Sequence, residues 1–248
     1  MKEWITGRNP VYECLRSHRR HFFRLLVARG VEEGGRLSDI QLLAKQVNLP
    51  VELVDKTELF AIHEHHQGVA LQASAYPYSD LAEIFALAEK KGEPLFMLLL
   101  DQVQDPQNFG TLIRSAELFG LHGVLIPPDR AVGVTPAVVH ASSGGSEHLL
   151  ITQGNLAQAI DQIKALNAWV IGLDIDPASQ TLDKTNLSGA LALVVGSEGG
   201  GLRRLVREKC DLITHIPTNG RLDSLNAAVA GSIALYAAYL KRNQDFYA

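Results

Sequence analysis

The stretch that decides the fold is LALVVGSEGGGLRRLVREKCDLITHIPTNGRLDSLNAAVAGSIALYAAY, residues 191–239. It contains two apolar runs of strand length, 191–195 and 212–216, each followed by a loop rich in small and polar residues. An alanine-rich helix is predicted to close the stretch. Ligands of open α/β sheets bind at the carboxyl ends of the strands. The pattern therefore predicts a binding site built by two neighbouring strand ends.

The region from Asp80 onward alternates strand-length apolar runs with helical patterns, which is typical of a mostly parallel sheet with helices on both sides. The most apolar run, 95–100, has the composition of a strand buried on both faces. Helices are predicted at 81–90, 110–119, 136–142 and 156–166, and further strands at 124–126, 149–152 and 169–173.

Residues 1–75 have the pattern of a separate small α/β unit. Strands are predicted at 22–28, 51–54 and 69–75, and helical spacing at 37–47 and 59–62. A further helix is predicted in TGRNPVYECLRS, with Thr6 or Asn9 as its cap and Pro10 in its first turn. The segment AYPYS, 75–79, has the composition of a linker.

The composition fits a globular protein of one large or two smaller domains. The chain has 248 residues, of which 46% are hydrophobic, so a full core is available. No segment approaches the ~20 apolar residues of a membrane helix, and the first ten residues lack the apolar segment of a signal peptide. The two cysteines, Cys14 and Cys210, do not suggest a disulfide framework. We therefore predict a cytoplasmic protein with no membrane partner.

The charge is unevenly distributed along the chain. A net charge of −4 by itself argues against a nucleic-acid partner. Two basic clusters argue for one, because local patches matter more to polyanion binding than the overall sum. The alternative, that both clusters are solvated faces, stays open. They comprise Lys2, Arg8, Arg16, Arg19, Arg20, Arg24 and Arg29, and then Arg203, Arg204, Arg207 and Lys209.

The first polar constellation is DQVQDPQNFGTLIRSAELFG, residues 101–120. A helix is predicted to begin near Asn108, whose side chain is a candidate cap. Arg114, six residues on, is expected to project from much the same face. Its planar fork suits phosphate binding, and an ion pair with Asp105 or Glu117 is the alternative.

The second constellation is GSEGGGL, residues 196–202. It is not a P-loop, because no Lys-Ser/Thr follows the glycines. Its glycine spacing also departs from the dinucleotide fingerprint, which argues against a nicotinamide-dependent dehydrogenase. Glycines here would let the backbone approach a flat ligand closely. Glu198 is the candidate functional acid, and a helix cap or an ion pair with Arg203 or Arg204 are the alternatives.

The third constellation is IPTNGRLDSLNAAVA, residues 216–230. Ser224 or Asp223 is predicted to cap the last helix, with Asn226 in its first turn. The small residues that follow predict that something packs closely on this helix, and simple helix packing would suffice. The histidines His63, His65 and His66 match no standard zinc spacing, so no metal is predicted.

Together the three constellations resemble the three motifs of the SpoU (TrmH) family of RNA 2′-O-methyltransferases, in the SPOUT class. ASSGGSEHL, 141–149, resembles a stretch that the family carries between its first two motifs. GRNPVYECLRS, 7–17, and HQGVALQA, 66–73, resemble the substrate-binding domain of the ribosomal RNA branch. The chain departs from the family in having Asn-Ala-Ala at 226–228, where Asn-Val-Ser is frequent, and Arg-Leu-Asp at 221–223.

The resemblance implies an α/β fold of the SPOUT α/β-knot type, with a mostly parallel sheet and a deep trefoil knot in residues 93–248. A linker and first helix, 76–92, would join it to a small N-terminal α/β RNA-binding domain, 1–75. The implied cofactor is S-adenosylmethionine, held mostly through backbone groups, and the implied assembly is a homodimer whose partner subunit completes each site. The implied cofactor-binding residues are Leu173, Gly196, Ile216 and Leu225.

The implied reaction is methyl transfer to a ribose 2′-hydroxyl of ribosomal RNA, with a guanosine in 23S rRNA as the specific expectation. The family proposal makes Arg114 the base. Because arginine is hardly ever neutral, a protonated Arg114 that holds a phosphate and stabilises the developing alkoxide is the alternative. A tRNA substrate stays open, as does an RNA-binding assembly factor without activity. The implied catalytic residues are Arg114, Asn108, Glu198, Ser224 and Asn226.

Overall fold

The computed structural model describes residues 1–31, 34–176, 179–222 and 224–243. The chain divides into two compact units. The first combines Met1–Pro77 with Val134–His148, and the second contains Tyr78–Gly133 and the part from Leu149 onward. Residues 134–148, which the sequence pattern assigned to the second domain, therefore pack in the first unit.

The first unit is built on a four-stranded sheet. Its strands are β1 (Lys2–Thr6), β2 (Phe22–Ala28), β3 (Val51–Val54) and β4 (Val69–Ser74), and its helices are α1 (Arg8–Ser17), α2 (Arg36–Gln46), α3 (Lys56–Ile62) and α6 (Pro136–Ala141). The strand order is β1-β4-β2-β3. β4 pairs antiparallel with β1 and β2, whereas β3 runs parallel to β2.

Most elements of the first unit agree with the prediction, and the start of the chain does not. The sequence pattern did not predict β1, a short strand at the sheet edge with only Ile5 and Thr6 buried. The predicted caps of α1 are wrong, because Thr6 ends β1 and Asn9 lies inside the helix. Gly7 occupies the cap position with φ of 91°, a left-handed conformation that favours glycine.

The second unit is built on a seven-stranded sheet. Its strands are β5 (Phe96–Asp101), β6 (Gly123–Ile126), β7 (Leu150–Gln153), β8 (Trp169–Leu173), β9 (Gln180–Thr181), β10 (Leu191–Gly196) and β11 (Leu212–His215). Its helices are α4 (Leu81–Lys91), α5 (Pro106–Leu118), α7 (Leu156–Ala165), α8 (Arg204–Lys209) and α9 (Ala227–Arg242). Neighbouring strands are parallel throughout, which confirms the predicted sheet.

The strand order β7-β6-β5-β10-β8-β11-β9 determines where the loops meet. The two central strands β5 and β10 are buried along their whole length and pair residue by residue from Phe96–Leu191 to Asp101–Gly196. The carboxyl ends of β5, β10, β8 and β11 therefore lie side by side at one edge. The predicted trefoil knot stays a prediction. Within the described residues, no helix has the length and apolar character that crossing a membrane requires.

Candidate active site

Three polar residues from distant parts of the sequence meet at this edge of the second sheet. Asn108 Nδ2 donates a hydrogen bond to Glu198 Oε1 at 3.0 Å. Asn226 Nδ2 donates to Asn108 Oδ1 at 3.0 Å and also to Glu198 Oε1. Each of the three sequence constellations thus supplies one member of a hydrogen-bonded cluster. We call Asn108, Glu198 and Asn226 the polar triad.

Asn226 fixes the orientation of the polar triad because it also caps α9. Its Oδ1 accepts hydrogen bonds from the backbone N–H groups of Ala228 and Val229, at 2.9 and 3.1 Å. Reversing the amide would direct its NH₂ group at those donors, so only one orientation satisfies both ends. The predicted cap was therefore wrong for Ser224, which precedes the cap in the loop, while Asp223 lies outside the described residues.

The first constellation also departs from the predicted geometry. Asp105, not Asn108, caps α5, and its carboxylate accepts a hydrogen bond from the Asn108 backbone at 3.0 Å. This leaves the Asn108 side chain available to the polar triad. The expectation that Arg114 shares the face of Asn108 is wrong, because six helical residues turn through about 600° and leave the two about 120° apart. Arg114 is exposed on α5, which also carries Asn108, and Ser224 is exposed in the loop two residues before Asn226.

Asp101 lies at the same edge, and no role was predicted for it. Its side chain is fully buried at the end of β5. Oδ2 accepts from the backbone N–H of Arg203 at 2.8 Å, and Oδ1 accepts from Arg203 Nε at 2.6 Å. These bonds attach the end of the glycine loop to β5. Its position directly after an apolar strand was the feature of the sequence that could have indicated a role for this acid.

The glycine loop is shaped by contacts within itself. Ser197 and Gly201 exchange two backbone hydrogen bonds, at 3.2 and 3.1 Å. A Cβ atom on Gly196 would lie 2.3 Å from the carbonyl carbon and oxygen of Gly201, so no larger residue fits there. Glycine at position 196 is therefore required by the packing of the loop itself, and not only by the predicted approach of a ligand. The tight turn brings Glu198 back toward α5 and α9.

The four predicted cofactor-binding residues follow the same edge. Leu173, Gly196 and Ile216 stand at the carboxyl ends of β8, β10 and β11, which are neighbours in the sheet. Leu225 precedes the polar-triad member Asn226 and is 38% exposed. Strand ends that offer backbone groups, next to an exposed apolar side chain, fit a flat heterocycle with polar substituents. The residues present therefore suit S-adenosylmethionine by their chemistry.

The second basic cluster is an ion-paired surface. Arg203 binds Asp101, and Arg207 Nη1 lies 2.7 Å from Asp174. Arg204 pairs with Glu208, and Lys209 with Asp161. These ion pairs at the surface support the alternative interpretation, in which the cluster is a solvated face. In the first cluster Arg20 differs, because its side chain is buried against Glu147 and Glu3.

The histidines and cysteines have structural environments. His66 Nδ1 accepts from the backbone of Gly68 at 2.9 Å. Desolvation raises the pKa of buried Cys14 well above its usual range and that of Cys210 to about 12, so neither thiol is activated. Among the residues that the structure describes, no group of three or more His, Cys, Asp or Glu side chains is arranged to hold a metal ion.

Comparison with known proteins identifies the family. Residues 95–236, more than half of the chain, match the SpoU rRNA Methylase family. Residues 4–79 match the family described as RNA 2′-O ribose methyltransferase substrate binding.

Named relatives cover most of the chain. One is "Putative TrmH family tRNA/rRNA methyltransferase YacO" of Bacillus subtilis, 40% identical over 97% of this chain and 96% of the relative. Another is the 23S rRNA (guanosine-2′-O-)-methyltransferase RlmB of Coxiella burnetii, 38% identical over 84% of this chain and 83% of the relative.

A solved structure supports the fold. The SpoU methyltransferase AviRb from Streptomyces viridochromogenes, solved with AdoMet, has a TM-score of 0.81 at 23% identity, covering 100% of this chain and 92% of AviRb. These matches agree with the three constellations and with the parallel sheet that joins them. The chain belongs to the SpoU family of RNA 2′-O-ribose methyltransferases.

Proposed function

We propose that this chain transfers a methyl group from S-adenosylmethionine to a ribose 2′-hydroxyl of ribosomal RNA, and that its target is a guanosine in 23S rRNA. The observation that carries the proposal is the polar triad, which joins all three constellations at the strand ends of the second sheet. The relative in Coxiella burnetii, named for this reaction, supports the choice of substrate. An RNA substrate made in the cytoplasm also supports the predicted cytoplasmic location.

The proposed cofactor site is formed by backbone groups and apolar side chains. Leu173, Gly196 and Ile216, at the ends of β8, β10 and β11, would hold the cofactor together with Leu225, which lies just before α9. When bound, S-adenosylmethionine supplies an electrophilic methyl group on a positively charged sulfur. The protein must then hold the ribose oxygen in line with that methyl group at roughly 3–3.5 Å.

Arg114 is proposed to bind the RNA phosphate and to stabilise negative charge on the attacking oxygen. Its exposed position on α5 allows a large substrate to reach it. A guanidinium group offers two parallel N–H donors to a phosphate, which fixes orientation as well as charge. Ser224, exposed in the loop before α9, is proposed to contact the ribose.

Glu198 is proposed to accept the hydroxyl proton. Two amide NH₂ groups, from Asn108 and Asn226, hold its Oε1. A carboxylate has about four acceptor positions, so the group retains capacity for a substrate hydroxyl. With S-adenosylmethionine bound as the methyl donor, Glu198 would take up the proton that the 2′-hydroxyl loses when its oxygen accepts the methyl group.

Glu198→Gln is expected to lower kcat by at least about 100-fold, since proton transfer by a positioned group contributes roughly 10²–10⁴. The glutamine oxygen can accept the same two amide hydrogen bonds, so affinity for S-adenosylmethionine by calorimetry should stay within about twofold. Glu208→Gln, on the exposed surface of α8, is the matched control. A kcat close to wild type would remove Glu198 from the proton path.

The substrate is tested by incubating the protein with tritiated S-adenosylmethionine and separately purified, unmethylated 23S rRNA, 16S rRNA and tRNA. Label in 23S rRNA supports the proposal. Label in tRNA alone would keep the family and overturn the substrate. Cofactor binding without label in any RNA would favour the inactive assembly factor.

We also propose a homodimer, because α9 presents an apolar stripe to solvent. Val229, Ile233, Tyr236 and Leu240 are 47%, 40%, 50% and 37% exposed, and their spacing places them along one helix face. A second copy of the chain would bury this stripe. Sedimentation equilibrium should give twice the chain mass, and Ile233→Arg should give a monomer, whereas Leu166→Arg, at an exposed apolar position after α7, should not. A monomeric wild-type protein would contradict the dimer.

A further inference from the structure

A cleft of about 660 Å³ lies in the first unit. Its lining residues lie between positions 8 and 68, and none of them belongs to the polar triad. It is bordered by the start of α1, one face of α3 and the loops at 30–31 and 66–68. Its lining includes Arg8, Lys56, Phe60, Glu64, His66 and Gln67. Two of the stretches that resemble the substrate-binding domain, 7–17 and 66–73, thus meet here.

One wall of the cleft carries an aromatic ring and a cation on the same helix face. Lys56 and Phe60 are four residues apart in α3, so their side chains are neighbours. Phe60 is 56% exposed, a large exposed fraction for a phenylalanine on a small domain. Buried His66 packs against it, with the two rings perpendicular and their centroids 4.7 Å apart. More than half of the Phe60 surface is still exposed.

The start of α1 adds a second cation, Arg8, to the lining, and two hydrogen bonds hold it. The Arg8 backbone N–H donates to Gln67 Oε1 at 2.9 Å, and Arg8 Nε donates to the Gln67 carbonyl at 3.2 Å. The Nη atoms of the guanidinium carry the remaining donors. The loop of Gln67 is itself tight, because a Cβ atom on Gly68 would lie 2.8 Å from Val31.

The charge of the cleft favours an anionic ligand. Two permanent cations, Arg8 and Lys56, face one acid, Glu64. Desolvation, together with the charge of Lys56, lowers the pKa of His66, so this ring is a neutral packing group at pH 7.

We propose that this cleft binds one unstacked nucleotide of the RNA substrate, with its base on Phe60 and its phosphate between Lys56 and Arg8. Stacking on exposed aromatic rings and pairing of phosphates with nearby cations is the chemistry by which proteins bind unpaired RNA. The inference rests on the proposed RNA substrate and adds a recognition site separate from the reacting ribose.

The test measures RNA affinity of the full chain by fluorescence anisotropy, with a short labelled single-stranded RNA that cannot pair with itself. Phe60→Ala should weaken binding roughly 5- to 100-fold, and Phe60→Trp should restore it. Lys56→Gln should weaken binding and reduce the slope of log affinity against log salt by about one. Leu53→Ala, at a 59% exposed position on β3, and Lys45→Gln, on exposed α2, are the matched controls and should bind as wild type.

A blunt RNA duplex of the same sequence distinguishes stacking from general attraction. Phe60→Ala should leave duplex affinity unchanged, because paired bases cannot reach the ring. Wild-type affinity of Phe60→Ala for the single strand, or an equal loss for the duplex, would overturn the inference. In methyl-transfer assays, Phe60→Ala should raise the KM for RNA. If the wild-type protein methylates no RNA but Phe60→Ala still loses affinity for RNA, the proposed reaction is wrong, and the proposed nucleotide-binding cleft is still supported.

Discussion

Replacing Arg114 by lysine is expected to lower kcat/KM for RNA methylation by about 100-fold or more, although the positive charge is kept. A lysine ammonium is a point charge that cannot make the two parallel hydrogen bonds of a guanidinium to a phosphate. Removing one donor that stabilises developing negative charge costs about 10²–10³ in rate. Steady-state transfer of tritium to 23S rRNA measures the effect.

The Arg114→Lys experiment has a clear control. Arg114 is exposed on α5, so the substitution should preserve the fold and the affinity for S-adenosylmethionine. Arg204→Lys changes another exposed arginine, at the start of α8, and should keep wild-type rates. Rates for Arg114→Lys within a few-fold of wild type would show that the planar guanidinium group of Arg114 has no part in the reaction.

Arg20→Met is expected to lower the free energy of unfolding by about 3–5 kcal/mol, since it leaves a buried carboxylate without its partner. Arg20 Nε and Nη2 donate to Glu147 at 3.0 and 2.8 Å, and both side chains are completely buried. Burial alone would lower the pKa of Arg20, but the hydrogen bonds and charge of Glu147 raise it, so Arg20 is charged. Urea denaturation measures the loss.

An exposed pair in the same unit provides the comparison. Arg24 and Glu52 lie 3.2 Å apart with about half of each side chain exposed, and Arg24→Met should cost less than about 1 kcal/mol. The double variant Arg20→Met/Glu147→Leu should lose less than Arg20→Met, because no buried charge remains. Equal losses for Arg20→Met and Arg24→Met would contradict the buried-pair account.

Because of the same pair, deleting residues 1–75 is a poor test of what the first unit contributes to RNA binding. Glu147 comes from the segment 134–148, far along the chain, yet it is buried against Arg20. Deleting the N-terminal residues would leave this carboxylate unpaired. Single substitutions such as Phe60→Ala avoid that effect.

Most helices and strands were predictable because buried faces require apolar residues in continuous runs or at regular spacing. The run 95–100 and the run 191–195 are apolar throughout, and they form β5 and β10 at the centre of the sheet. β1 was missed because an edge strand buries few residues. The segment 134–148 packs in the first unit, and apolar periodicity alone does not indicate which core a helix joins.

The composition of the candidate site was predictable, and its bonding was not. The constellations contained Asn108, Glu198 and Asn226, and the structure joins them in one hydrogen-bonded cluster. The caps were misassigned because several polar residues near each helix start were chemically equivalent candidates. Which one accepts the N–H groups depends on where the helix begins. Asp101 was overlooked because its partner, Arg203, is about a hundred residues away in the chain.

The most direct test of the central claim is to hydrolyse tritium-labelled 23S rRNA with alkali and separate the products. A 2′-O-methyl group removes the hydroxyl that alkaline cleavage requires, so the label should appear in one alkali-resistant dinucleotide with guanosine at its 5′ side. Label in mononucleotides would mean that a base is methylated, and it would contradict transfer to the ribose.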